Sequence, residues 1–225
     1  MKYLMSGASL QNGRQSNMDS LLLKSRTIAG ESAVLAVVCD GVGSLADGAY
    51  AAGKAAVMLG VWFSKLAATG RIGLMMRDAV LEANSHIVVE AEKSNLDTAS
   101  TLSAVLLIES DYYITHIGDS RIYSAGDDGL LLHTSDDVTE SGRLTGYIGK
   151  SEDILLQYSE GSAKGRTFLV CSDGLYNRMD ESLLANKMNN WNKRNRNEPI
   201  KSLPQYVIKQ GEKDNITLAL IKIIH

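Results

Sequence analysis

Two apolar segments of this chain each end abruptly in an aspartate. Residues 33–39 are followed by Asp40 and residues 167–172 by Asp173, with a glycine next in both cases. Short apolar, β-branched runs that stop at turn residues are typical of buried strands, so each run delivers a carboxylate to the rim of a sheet. The glycine lets the chain turn sharply and brings the backbone close to whatever the carboxylate holds.

Three further aspartates occupy comparable places. Asp119 follows an apolar run at 112–117, Asp214 precedes another at 216–224, and Asp19 lies near the start of the chain. Acids at several strand ends, without matching histidines or cysteines, predict an oxygen-ligand site for Mg²⁺ or Mn²⁺. A single Asp-Gly pair is more often a plain turn, so the prediction depends on the whole set of five acids.

Composition favours one globular domain over residues 1–225. Hydrophobic residues make up 44% of the 225 residues and charged residues 22%, which is ordinary for a globular protein. A net charge of −3 gives no overall basic field for nucleic acid or for an anionic membrane. The short basic run at 193–196 is interpreted as a solvated loop. We therefore expect a monomer with neither nucleic acid nor a membrane as a partner.

The cysteines and the apolar stretches indicate in which cellular compartment the protein is expected. Cys39 and Cys171 both lie in apolar runs and are predicted to be small buried hydrophobes without a disulfide. Residues 1–10 lack the sustained apolar segment of a signal peptide. The stretch 45–68 contains charged residues, which favours a buried helix over a membrane span. The expected location is the cytoplasm.

The order of predicted elements indicates the fold class. Strands at 19–24 and 33–39 precede two long helices at 45–68 and 72–93. A meander follows, with strands at 101–108, 112–117, 121–124 and 130–133, and then a mobile loop at 134–153. The remaining elements are a strand pair formed by 154–158 and 166–171, helices at 180–190 and 203–210, and a closing strand at 216–224. Strands and helices do not alternate one by one, so an α+β domain with helices on antiparallel sheets is predicted.

Six short motifs occur in one order along the chain: Arg14-x-x-Asn17-x-Asp19, Asp40-Gly41-x-Gly43, Ser100-Thr101, Gly118-Asp119-Ser120-Arg121, Cys171-Ser172-Asp173-Gly174-Leu175 and Asp214-Asn215-Ile216-Thr217. Together they resemble the metal-dependent serine/threonine protein phosphatases of the 2C (PPM) type, in their compact bacterial form. Each motif alone is common, whereas six in this order form a specific signal. The resemblance spans nearly the whole chain and implies an α-β-β-α sandwich of two antiparallel sheets flanked by helices.

The resemblance also implies metal-binding roles. Asp40 would bridge two Mn²⁺ or Mg²⁺ ions, and the Gly41 carbonyl would bind one of them directly or through water. The other acids would complete the ligand set: Asp173 and Asp214 for the first ion, Asp19 for the second ion and Asp119 for a third, weaker ion. The motif neighbours Asn17, Gly174 and Asn215 would support these ligands.

Arg14 matches the arginine that holds the substrate phosphate in this family, and with Asp40 it is predicted to be catalytic. A guanidinium is a forked, permanent cation that can bind two phosphoryl oxygens at once. Two divalent ions lower the pKa of a shared water, which supplies hydroxide near neutral pH. The sequence offers no convincing cysteine or histidine nucleophile, which favours direct hydrolysis over a phosphoenzyme.

The chain departs from the family pattern at a few positions. Met18 stands where Glu or Gln often precedes the aspartate of the first motif, and a thioether is a poor ligand for Mg²⁺ or Mn²⁺. Ser44 and Leu45 replace the Gly-His that commonly ends the second motif. Val42 stands where some relatives place a histidine proposed as the general acid. These departures predict a weaker second metal site and little assistance to the leaving group.

The leading hypothesis is hydrolysis of phosphoserine and phosphothreonine in proteins that a bacterial kinase has phosphorylated. Two alternatives stay open. One is a catalytically weak regulatory module of the same fold, and the other is a hydrolase of small phosphate esters at the same metal centre. Substrate choice depends on surface loops, which a single sequence does not decode.

Overall fold

The structure, a computed structural model, describes residues 2–151 and 153–224. Its strands are β1 (Lys2–Leu10), β2 (Ser20–Ile28), β3 (Glu31–Cys39), β4 (Leu102–Ile108), β5 (Asp111–Ile117), β6 (Arg121–Gly126), β7 (Gly129–Leu132), β8 (Gln157–Ser162), β9 (Thr167–Cys171) and β10 (Ile216–Ile224). Its α-helices are α1 (Gly48–Lys65), α2 (Ile72–Ser94), α3 (Asp173–Tyr176), α4 (Glu181–Asn189) and α5 (Pro199–Lys209).

The strands form two sheets that pack face to face. The first sheet has the order β1-β10-β9-β6-β7 and the second the order β2-β3-β4-β5-β8, with every named neighbouring pair antiparallel. Helices α1 and α2 cover the outer face of the second sheet, and α4 and α5 cover that of the first. The predicted α+β class and the α-β-β-α sandwich are therefore confirmed.

Strand β3 shows why the apolar runs are uninterrupted. Val34, Ala36 and Val38 belong to the core between the two sheets, whereas Leu35 and Val37 belong to the core under α1 and α2. Successive side chains of a strand point to opposite faces, and here both faces are covered by protein. All five side chains are fully buried, so no position on the strand favours a polar residue until the strand ends at Asp40.

The strand register brings the acidic residues to one end of the sandwich. In the second sheet, Ser20 at the start of β2 pairs with Cys39 at the end of β3, which places Asp19 beside Asp40. In the first sheet, the end of β9 pairs with the start of β6 and lies near the start of β10. Antiparallel pairing therefore brings the residues around these strand ends to the same edge, as the next subsection describes.

Two details of the sequence prediction are wrong. The N-terminal strand β1 was not predicted, although it pairs with β10 along its whole length. Segments 154–158 and 166–171 were expected to pair with each other. Instead β8 pairs with β5 in one sheet, while β9 lies between β10 and β6 in the other. Local apolar patterns do not specify which of two stacked sheets a strand joins, and consecutive strands here separate into different sheets.

The segment 134–153, predicted to be a mobile loop, is mostly irregular over its described residues, and several of these are bonded to the rest of the domain. Isolated bridges join Val138 to Leu144 and Ser100 to Ile148. The buried Asn84 side chain of α2 accepts from Gly149 N at 2.9 Å. The segment is thus held against the end of the sandwich where the acids lie.

The cysteine prediction agrees with the structure, in which Cys39 and Cys171 are both buried and free. Over the described ranges, no helix combines the length and apolar character that crossing a bilayer would require.

Candidate metal centre

A cavity of about 380 Å³ opens where the strand-end acids meet, and we call it the acidic cavity. Its charged lining residues come from separate parts of the chain: Arg14, Asp40, Asp119, Asp173 and Asp214. Gly41, Met18 and Asn215 also line it. The fifth acid, Asp19, is buried beside Asp40 and is 9% exposed.

Backbone bonds on both sides fix the position of Asp40. Its N–H donates to Thr101 Oγ1 at 3.0 Å, and its carbonyl accepts from Thr101 N and Ser100 Oγ, each at 2.9 Å. These bonds involve only the backbone of Asp40, and its side chain lines the cavity beside Asp19. Burial raises the pKa of Asp40 well above its ordinary value, and the negative charges of Asp19 and Asp173 raise it further.

The two oxygens of the Asp19 carboxylate differ in their hydrogen bonding. Oδ2 accepts from Ser172 Oγ at 2.9 Å, whereas Oδ1 is buried and meets no hydrogen-bond donor within the described residues. Burial raises the pKa of Asp19, although hydrogen bonds from Thr217 and Ser172 oppose the rise. An unpartnered buried carboxylate oxygen is costly. A cation beside Asp19 would supply the missing partner.

Asp173 and Asp119 are held by the short helix α3. Asn177 Nδ2 donates to Asp173 Oδ2 at 3.1 Å, and Tyr176 Oη donates to the Asp119 carbonyl at 2.8 Å. Burial raises the pKa of Asp173 to about 7, with added repulsion from Asp119 and Asp214, and burial also raises the pKa of Asp119. The sequence analysis missed both supporting residues. The four-residue spacing of Asp173 and Asn177 on a helix was the available signal.

Arg14 and Asp214 form an ion pair at the outer side of the cavity. Arg14 Nε donates to Asp214 Oδ1 at 2.7 Å, and the guanidinium also contacts the second oxygen. Burial would raise the pKa of Asp214, but the bonds from Arg14 and from Asn215 N outweigh it, so the pKa is lowered. The two side chains expected to hold a metal ion and a phosphate are therefore bound to each other here.

Asn215 anchors the loop that carries Arg14. Its Oδ1 accepts from Met18 N at 2.9 Å, and its Nδ2 donates to two carbonyls of the 11–18 loop at 2.7 and 3.0 Å. Gly174 makes room for this contact, because a Cβ there would lie 2.0 Å from the Asn215 carbonyl oxygen. Asn215 thus ties the 11–18 loop to the start of β10, and Gly174 packs closely against the Asn215 backbone.

Gly41 and Asn17 make close backbone contacts beside the aspartates. A Cβ on Gly41 would lie 2.6 Å from the Gly48 carbonyl oxygen and 2.8 Å from that of Met18, so only glycine fits. Asn17 Oδ1 accepts from Asp19 N at 3.1 Å. Met18 contributes to this packing through its backbone.

The donor set suits a hard divalent cation. Within residues 2–151 and 153–224, no three His, Cys, Asp or Glu side chains already stand in a ready-made coordination arrangement. Both carboxylate oxygens of Asp214 are hydrogen-bonded to Arg14. The unpartnered Asp19 oxygen and the raised pKa values of Asp40 and Asp173 nevertheless indicate an uncompensated negative charge. Oxygen ligands with excess negative charge are what Mn²⁺ and Mg²⁺ require.

Cys39, Cys171 and His116 are not among the residues that line the acidic cavity. Burial raises the thiol pKa of Cys39 and of Cys171, so neither supplies a thiolate. His116 is buried between Ser103 Oγ, at 2.8 Å, and the Gly118 carbonyl, at 3.1 Å, and burial lowers its pKa. These bonds make His116 a structural residue that links β4 and β5.

The sequence matches the family described as Protein phosphatase 2C over residues 6–206, and the chain belongs to that family. A serine/threonine phosphatase stp of Listeria welshimeri is 29% identical over 214 residues, which cover 84% of this chain and 84% of the relative. The same-named protein of Listeria monocytogenes is 29% identical over 219 residues, again covering 84% of each chain. The predicted family and the enzyme class, a protein serine/threonine phosphatase, are confirmed.

Solved structures share the fold. The serine/threonine phosphatase Stp1 from Staphylococcus aureus superposes with a TM-score of 0.88 at 17% identity, covering 100% of this chain and 96% of that one. The catalytic domain of the phosphatase PstP, solved with two manganese ions, gives a TM-score of 0.81 at 21% identity and covers 99% of each chain. The roles of the individual site residues remain predictions.

Proposed function

We propose that this chain hydrolyses phosphoserine and phosphothreonine in proteins, using water activated at a binuclear Mn²⁺ or Mg²⁺ centre. The observation that carries the proposal is the acidic cavity, where acids from separate strand ends meet one arginine. The proposed ligands are the acids and the carbonyl already named: Asp19, Asp40, Asp173, Asp214 and the Gly41 carbonyl, with Asp119 for a third ion.

The chemistry that such ions supply is a lowered pKa of bound water together with neutralisation of phosphoryl charge. The chain supplies orientation. Asp40 is held by Thr101 and Ser100 before any substrate arrives, so its carboxylate needs little reorganisation. A ligand held in this way would keep the ions in place through the reaction, so that their charge is already positioned when the transition state forms.

Arg14 is the proposed phosphate-binding residue. Its guanidinium lines the cavity and is 55% exposed, so a phosphoryl group can reach it. The bidentate pair with Asp214 has the geometry that a phosphate would use. A carboxylate and a phosphate can each present two oxygens to the planar guanidinium of Arg14. We infer that substrate phosphate replaces Asp214 as the partner of Arg14.

The acidic cavity offers little to protonate the leaving group. Within residues 2–151 and 153–224, no histidine lines the acidic cavity, whereas Val42 and Ser44 do. Aryl phosphates leave as stabilised phenolates, whereas serine and threonine leave as alkoxides that need a proton. We therefore expect aryl phosphates to react faster than phosphopeptides, with solvent water as the proton source.

The proposed substrates are cytoplasmic proteins that a bacterial serine/threonine kinase has phosphorylated. The enzyme is proposed to act on them as a monomer. The named bacterial relatives, which are serine/threonine phosphatases, support this choice.

The test measures hydrolysis of a phosphothreonine peptide and of an aryl phosphate, each with Mn²⁺ and with a chelator. Mn²⁺-dependent turnover of both substrates is expected. Turnover of small esters alone would favour the small-ester hydrolase. Tight phosphopeptide binding without turnover of either substrate would favour the regulatory module.

A further inference from the structure

A second cavity of about 420 Å³ opens beside the acidic cavity, and we call it the adjoining pocket. The two share four lining residues: Val42, Ser44, Asp119 and Leu144. Because they share a wall, a molecule with its phosphoryl group in the acidic cavity presents its next atoms to the adjoining pocket. The adjoining pocket is therefore placed to contact whatever flanks the phosphorylated residue.

The lining of the adjoining pocket is about half apolar, and its polar part includes Asp119, Arg143 and Lys150. Val42, Leu45, Ala99, Leu144 and Tyr147 all line it. Val42 and Leu45 are positions at which this chain departs from the family pattern, so the apolar wall depends partly on residues particular to this sequence. A pocket with this lining favours an apolar side chain, because it removes apolar surface from water on both partners.

The rim of the pocket carries a cation without a partner. Arg143 is exposed, and its guanidinium makes no ion pair or hydrogen bond within the described residues. By contrast, Lys150 on the same rim is paired with Asp97. Arg143 is thus the basic side chain of this pocket that is available to an incoming carboxylate.

The backbone presents Arg143 on a fixed turn. Thr139 N donates to the Arg143 carbonyl at 2.8 Å, and Arg143 N donates to Thr139 Oγ1 at 3.1 Å. Gly142, between them, has a φ of +79°, which suits glycine in a tight turn. Because these bonds close the turn, the backbone at Arg143 is in place before substrate binds.

We propose that the adjoining pocket is a specificity subsite of the phosphatase. It takes an apolar side chain next to the phosphorylated residue, while Arg143 binds a carboxylate within two residues of it. The favoured substrate class is a phosphopeptide in which an apolar and an acidic residue flank the phosphothreonine. This inference rests on the proposed function and adds the local sequence that the enzyme prefers.

The test compares kcat/KM for phosphothreonine peptides that differ only in the flanking residues. The reference peptide carries a leucine next to the phosphothreonine and a glutamate beyond it, placed on either side in two series. One comparison peptide replaces the glutamate with lysine, and another replaces the leucine with serine. Ratios are taken within each enzyme variant, so that a general change in activity cancels.

We expect wild-type enzyme to prefer the glutamate peptide over the lysine peptide by about fivefold, the size of a partly exposed ion pair. It should prefer leucine over serine by about tenfold. Arg143→Glu should reverse the charge preference, and Leu45→Ser should reduce the preference for leucine. Lys164→Glu is the charge-matched control, because Lys164 lies beyond the opposite end of β9 from Asp173; its ratios should match those of wild type.

Three outcomes would count against the inference, and they are distinguishable. Equal kcat/KM for all phosphopeptides, with robust turnover, would refute the subsite and leave the proposed function standing. No turnover of any phosphopeptide or of an aryl phosphate would refute both. An Arg143→Glu enzyme that keeps the wild-type preference for glutamate would also refute the assigned role of Arg143.

Discussion

The inner and outer sides of the acidic cavity balance their negative charge in different ways. On the inner side, Asp19 and Asp40 share a side-chain hydrogen bond and otherwise have hydroxyl and backbone partners, and Asp19 Oδ1 has no donor within the described chain. On the outer side, Asp214 is neutralised by Arg14. The same residue type therefore has a raised pKa at Asp40 and a lowered one at Asp214.

This difference indicates where a cation is needed most. A positive ion at the inner side relieves repulsion that the protein leaves uncompensated, whereas at the outer side it competes with an arginine already in place. We infer that the inner acids provide most of the affinity for metal. The outer pair is the part that can exchange partners when phosphate binds.

The largest expected effect comes from removing an inner acid. Asp40→Asn should lower Mn²⁺-dependent turnover of an aryl phosphate by about 10²-fold or more, because a ligand contributes at least as much as the residues that support it. In chelator, the same variant should unfold at a higher temperature than wild type, since it removes a buried carboxylate under repulsion. Asp127→Asn, on the exposed β6–β7 turn, is the matched control and should change neither measurement. Unchanged turnover in Asp40→Asn would contradict its role as a ligand.

On the outer side, Arg14→Ala should reduce kcat/KM for an aryl phosphate by about 10²-fold, as expected for loss of one charged transition-state contact. Both kcat and KM should change, because the guanidinium binds the phosphoryl group in the ground and transition states. Arg14→Lys should recover only part of the loss, since an ammonium lacks the planar fork. Inhibition by inorganic phosphate should weaken in parallel. Wild-type kinetics in Arg14→Ala would exclude phosphate binding by this residue.

The pH dependence of stability should separate the two sides. Without metal, Asp173 keeps its proton up to about pH 7 in the folded protein, whereas the unfolded chain releases it near the ordinary pKa of 3.8. The folded state then binds more protons, so stability should fall as the pH rises from about 4 to 7. The pKa of Asp214 is lowered, so its contribution should instead be lost as the pH falls below about 4.

Urea unfolding in chelator between about pH 4 and pH 8 measures this slope. Saturating Mn²⁺ should flatten or reverse it, because bound cations stabilise the ionised acids and only the folded state binds them well. A metal-free protein whose stability rises across this range would contradict the proposed charge imbalance.

The inner acids could be predicted from the sequence because each follows or precedes a buried strand. Asp40 ends an apolar run whose two faces are both covered, which is a local signal. The pairing of Arg14 with Asp214 could not be predicted in this way, since 200 positions separate them. It depends on β1, a strand whose modest apolar character did not reveal it, lying beside β10.

The adjoining pocket could not be predicted from the sequence pattern either. The segment at 134–153 has weak periodicity, and its path is set by contacts with distant residues such as Asn84 and Ser100 rather than by its own preferences. The motif departures at Val42 and Leu45 were visible in the sequence. That these two residues lie in the same wall of a pocket could not be seen in the sequence, because it depends on how the chain folds.

The smallest expected effect concerns Met18, at the boundary between the two sides. Met18 lines the acidic cavity, and its backbone N–H is held by Asn215 at 2.9 Å, so a substitution changes the side chain while the loop keeps its anchor. A carboxylate there adds a hard oxygen donor or orients a ligand, where the thioether does neither. Met18→Glu should therefore lower the Mn²⁺ concentration for half-maximal activation by up to about tenfold. Calorimetric titration with Mn²⁺ should show the same gain without substrate, and Met18→Leu is the matched control that retains an apolar side chain. If the Glu and Leu variants bind Mn²⁺ equally well, the metal centre does not extend to position 18, and the inner acids alone set its affinity.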